Sequence, residues 1–158
     1  MAKVDIGPSS LPEQESHPTD VFVLPVTPML GSNVELTKQL FDTLENGESK
    51  ALVLIGFATG TTPTALNPFI KRTVDRGVPV FILSNNPGEE SGPKRIVYGV
   101  QQDAVEAGAS PLRDVNVNHL PEVLGAIQAE IDSGKFGQEL SEAILEKFGS
   151  SAAVPSQE

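Results

Sequence analysis

No cysteine occurs anywhere in the 158 residues, which excludes disulfide staples and thiolate metal centres. That absence is compatible with a reducing compartment. Tryptophan is missing too, and Tyr98 is the single tyrosine, so the aromatic platforms on which single-stranded nucleic acids stack are absent. Cations are scarce: 11 Lys and Arg stand against 21 Asp and Glu, giving a formal charge of −10 that opposes contact with phosphate backbones. Nucleic acid is therefore not an expected partner. No run is long and apolar enough for a membrane span, and no charged-then-apolar leader opens the sequence, so a cytoplasmic protein with no membrane partner is expected.

What is present fits one ordinary core, since a chain of this length buries about two-thirds of its unfolded surface. Residues 1–20 hold three prolines and many polar residues without apolar periodicity, which predicts a disordered arm or interdomain linker. Residues 150–158 predict a disordered tail, leaving 21–149 as the folded domain.

The stretch Lys50 to Pro63 organises that domain, because the apolar run Ala51 to Ile55 discharges directly into a loop of small, hydroxylated residues. Its length and the bounding Gly56 predict a strand buried on both faces. Ligands of open α/β sheets bind outside the carboxyl ends of strands, which puts the loop on the functional side. A plain turn at Gly56 and Gly60 is the competing reading.

Strands are likewise expected at Val21 to Val26, with Pro25 at a strand end or sheet edge, at Val78 to Leu83, and in short form around Ala109 to Leu112. Thr27 to Gly31 reads as a loop, and Ser32 with Glu35 as a capping box opening a helix whose stripe is Leu36, Leu40, Phe41 and Leu44. Asn67 reads as the N-cap of a second helix carrying Phe69, Ile70 and Val74 up to Gly77. Further helices follow from Val97, Val100, Ala104 and Val105, from Leu120 to Ile131, and from Leu140 to Phe148. This alternation predicts a three-layer α/β fold, Rossmann/flavodoxin-like, with a small parallel sheet of three to four strands and helices on both faces.

A succession of segments resembles a known family. Gly56-Phe57-Ala58-Thr59-Gly60-Thr61-Thr62-Pro63, then Arg76-Gly77-Val78-Pro79-Val80, Ser84 with its glycine-containing loop, Tyr98-Gly99 and Glu106-Ala107-Gly108 are similar to the C-terminal domain of the bacterial-type L-asparaginase and glutaminase family. The likeness runs from roughly Val21 to Ile127. Members hydrolyse side-chain amides through a threonine nucleophile in a larger N-terminal domain, and none of that domain's motifs can be placed here. The resemblance thus implies no catalytic residue in this chain. In the family, an asparagine from the glycine loop reaches a neighbouring subunit's active site; Thr61 stands at that position, with a shorter side chain that lacks the amide's fork. Cytoplasmic-type members also bind free asparagine as an effector near the loop after the third strand, where Ser84 to Gly88 falls, here without the cysteine of the versions compared.

The expected substrate-binding or interface residues are accordingly Thr59, Thr61, Thr62, Ser84, Asn85 and Asn86. Three functions compete: a non-catalytic domain serving assembly or binding of a small, asparagine-like amino acid; the accessory half of a split amidohydrolase completed by a catalytic N-terminal domain; and a flavodoxin-like binding module unrelated to amide hydrolysis. Self-association belongs to the first. No cofactor or metal is expected, because His17 and His119 lack ligand partners at suitable spacing and neither the Walker loop nor the dinucleotide fingerprint is present. Asp103, Glu106 and Asp114 read as solvated carboxylates, Lys94 and Arg95 as a solvated loop, and Tyr98 as a half-buried packing residue.

Overall fold

The computed structural model describes residues 20–47, 49–57, 62–85 and 99–148. The arm and tail predicted at the two ends, His17, the tip of the glycine loop, Lys94, Arg95 and Tyr98 lie outside them. Among the described residues four strands form one all-parallel sheet: β1 (Val21–Pro25), β2 (Ala51–Ile55), β3 (Val80–Ser84) and β4 (Ser110–Asn116), in sequential order. Six helices among the described residues accompany them: α1 (Pro28–Ser32), α2 (Val34–Asn46), α3 (Asn67–Asp75), α4 (Gly99–Glu106), α5 (Leu120–Asp132) and α6 (Gly137–Phe148). Short 3₁₀ turns, Thr64–Leu66 and Val117–His119, lead into α3 and α5.

The layers follow from the strand order. Moving always to the next strand with crossovers of one hand must place every crossover helix on the same face. Phe41 of α2, Ile70 of α3 and Ala104 of α4 indeed share one core with Leu52, Leu54, Val80 and Ile82. The opposite side chains of the same strands, Ala51, Val53, Ile55, Phe81 and Leu83, would then face water. They are covered instead by Val123, Ile127 and Ile131 of α5 and Leu140 and Ile144 of α6, which run back beneath the sheet after β4. The result is the expected three-layer α/β fold with helices on both faces, and its central strands are apolar at nearly every position because both faces are buried.

Both prolines within the described strands sit on edge strands, Pro25 ending β1 and Pro111 in β4, where a missing N–H is best tolerated. Sequence expectation fails at three local points. Ser32 caps nothing: its hydroxyl donates back to the Pro28 and Met29 carbonyls, closing a short helix where a loop was expected. Asn33 takes the capping role, its Oδ1 accepting from the Leu36 N–H at 3.0 Å. Asn67 is not an N-cap either, because the 3₁₀ turn ends at Leu66 and α3 starts without a side-chain cap.

Helices α2 and α3 are tied across their outer surface. The Phe41 and Phe69 rings stack at 5.1 Å, Arg72 lies over Phe69, and its Nη2 reaches Asp42 Oδ1 at 3.0 Å. The Lys38 ammonium, bonded to the same carboxylate at 3.1 Å, and then Arg72 hold Asp42 below its ordinary value of 3.8. A lowered carboxyl pKa contributes stability above the unfolded value, and that contribution is lost as pH falls through the folded one. Asp42→Asn should therefore melt slightly below the parent at pH 7, with the gap closing below pH 3.8 and in high salt. A gap unchanged down to pH 2 would mean the carboxylate's charge is not what joins the helices.

Candidate functional site

The carboxyl ends of β2 and β3 adjoin, since the Gly56 N–H donates to the Leu83 carbonyl at 2.8 Å and the Asn85 N–H to the Phe57 carbonyl at 3.2 Å. Alternation along β3 puts Ser84 on the same face as Val80 and Ile82, the face covered by Leu66 and Ile70. There the core turns polar. Ser84 is 2% exposed and Thr62 1% exposed, yet neither hydroxyl has a hydrogen-bond partner among the described residues. The Oδ1 of Asn67, buried at the start of α3, is in the same condition.

Such atoms are unusual, because a buried polar group without a partner costs about 1–3 kcal/mol of desolvation and native folds avoid it. Three of them lie on the chain segments around one pair of strand ends, where a buried water or a ligand can supply the partner. Two hydroxyls that can each donate or accept, together with one amide oxygen that accepts, suit a small ligand rich in N–H and oxygen.

Of the six residues expected at the site, Thr62 and Ser84 are thus placed in a buried polar position. Asn85 follows β3 with its side chain exposed, and Thr59, Thr61 and Asn86 lie outside the described residues. Asn67 was missed, although Asn before Pro directly after a ligand-side loop is a signal for a polar group there as much as for a cap.

The neighbouring end of β4 holds two further surprises. Ser84 pairs with Asn116, and a two-residue step from Ile82 to Ser84 is matched by a five-residue step from Pro111 to Asn116. This bulge carries Arg113, which is 1% exposed and whose guanidinium burial lowers from its ordinary value while leaving it cationic at neutral pH. Beyond it, Asn116 accepts from the Asn118 N–H at 2.9 Å, and its own N–H donates to His119 Nδ1 at 3.2 Å. His119 is therefore a half-buried capping residue whose Nδ1 accepts a backbone N–H.

Asp103 and Glu106 are exposed on α4, as expected, and among the described residues no cluster of three or more His, Asp or Glu side chains is arranged for a metal ion. No helix among the described residues is long and apolar enough to cross a membrane. Compared with known proteins, the chain matches no family model and no curated sequence.

Proposed function

We propose that this chain is a non-catalytic, asparaginase C-terminal-like domain that binds a small, asparagine-like amino acid at the carboxyl ends of β2 and β3. The observation that carries the reading is the set of unpartnered buried oxygens, Thr62 Oγ1, Asn67 Oδ1 and Ser84 Oγ. An amino acid offers an ammonium with three donors for the Asn67 oxygen and carboxylate or amide oxygens for the hydroxyls. Such contacts would offset the desolvation cost that these buried oxygens carry. The two hydroxyls are buried with no base hydrogen-bonded to them, and a serine or threonine in that state is a hydrogen-bonding group rather than a nucleophile.

The test is titration of the labelled protein with asparagine, aspartate and glutamine, followed by amide shifts and by ammonia release. Shifts gathered at Gly56, Phe57, Thr62, Ser84 and Asn85, with no ammonia, are the expected result. Silence at millimolar concentrations removes the amino-acid site, and turnover at enzyme-like rates removes the word non-catalytic.

One observation favours the second reading, an accessory half of a split amidohydrolase. Met29 on α1 and Val34 at the start of α2 are large, apolar and more than half exposed, and α1 follows β1 at the same end of the sheet as Thr62 and Ser84. Apolar surface beside a site suits a covering partner, either a catalytic domain or a second copy of this chain. Recovery of an asparaginase-type N-terminal domain on native co-purification would favour that reading, and a monomer by light scattering in every preparation would count against it.

A further inference from the structure

We propose that a cavity at the opposite, amino end of the sheet is a second binding site and that it takes a small amine with an apolar body. The cavity measures about 470 Å³, a size ordinary for small-molecule sites. Its walls come from the end of α3, the turns that enter β3 and β4, and one side of α6.

Glycine builds it. Gly77, Gly108 and Gly137 all line the cavity and all have positive φ, 91°, 115° and 58°, so the three turns present bare backbone. Packing accounts for Gly108, where an added Cβ would lie 3.0 Å from both methyl carbons of Val74. At Gly77 an added Cβ would meet nothing within 4 Å. The fold thus leaves a half-open space that its own side chains do not fill, unlike the close-packed cores on either face of the sheet.

The lining also has a polarity. Val74, Pro79 and Leu145 give it apolar walls, while Gln138, Ser141 and Glu142 lie on one side of α6 at helical spacing. Ser141 is held by a hydroxyl contact to Ser110 at 3.2 Å, which fixes α6 against the start of β4. Gln138 Nε2 donates to Glu142 Oε2 at 3.1 Å, and the other oxygen of that carboxylate has no partner among the described residues. No lysine or arginine lines the cavity, so its one formal charge is negative, in a chain of net charge −10. An anion is repelled there, whereas an ammonium meets a carboxylate already oriented by an amide.

Three probes of matched size separate the contributions: phenethylamine, 2-phenylethanol and 3-phenylpropanoate. The amine should shift the amides of Gly77, Gly108 and Gly137, the alcohol should do so more weakly, and the acid should leave them unmoved. Glu142→Gln, at an exposed helix position where folding is not at stake, should weaken the amine by roughly three- to tenfold and leave the alcohol unchanged.

Equal binding of all three probes would overturn the proposal, as would an unchanged amine affinity in Glu142→Gln or no binding at millimolar concentration. Capture of a lysine-containing peptide without any free amine would instead assign the surface to a protein partner. Shifts at Thr62 and Ser84 report on the other end of the sheet, so the two sites fail or succeed independently.

Discussion

The double variant Thr62→Val, Ser84→Ala is expected to be more stable than the parent by about 2–4 kcal/mol and to lose its response to asparagine. Removing a hydroxyl from a core normally destabilises, because its partner is orphaned. Here the hydroxyls are themselves the orphans: both are buried, and neither has a partner among the described residues. Valine replaces threonine at equal volume, and alanine for serine removes a single oxygen, so little packing is lost. What disappears is the desolvation that folding imposes on two unpaired groups. Urea unfolding gives the stability through the midpoint, and calorimetric titration gives the response to amino acids. A variant less stable than its parent would mean that both hydroxyls are satisfied in the free protein, and the case for an externally supplied ligand would go with them. Gain of stability with loss of binding is the trade-off expected where a site is kept polar for function.

The parts of this design that sequence could reveal are those where one physical requirement dominates. Ala51 to Ile55 and Val80 to Leu83 had to be strands because burial on both faces leaves no room for a polar residue, and the strand ends then located Thr62 and Ser84. Capping was less legible, since Ser32, Asn33 and Asn67 all belong to the residue types that cap helices and only the backbone geometry chooses among them. β4 was seen only in its first residues. Arg113, Asp114 and Asn116 look like the polar end of a strand, yet the bulge keeps the chain in the sheet and buries the arginine. The cavity was invisible for a different reason. Gly77 reads as a helix stop, which it is, and nothing local says that Gly77, Gly108 and Gly137, so far apart in the chain, line one space.

Arg113 supplies the other large effect. Arg113→Ala should lower stability by about 3–5 kcal/mol, because it opens a cavity where a large, fully buried side chain stood. The residue has an interaction with its surroundings, although its buried Nε has no hydrogen-bond partner among the described residues, and it is among the largest fully buried side chains of the fold. Burial also sets the limit on what the charge contributes. Desolvation is the cause of the lowered guanidinium pKa, so the folded state already bears a cost for keeping a cation at 1% exposure. Methionine fills a similar length of space without that cost, and Arg113→Met should recover more than half of the stability that alanine loses. Lysine keeps a charge but not the planar fork, and should fall between the two. The ordering Met, Lys, Ala by urea midpoint would make Arg113 chiefly a space-filling strut under the bulge. Methionine as damaging as alanine would show the reverse, that β4 depends on the cation itself, and would place a charged group beside Asn116 and Ser84 at the end of the sheet where the amino-acid site is proposed.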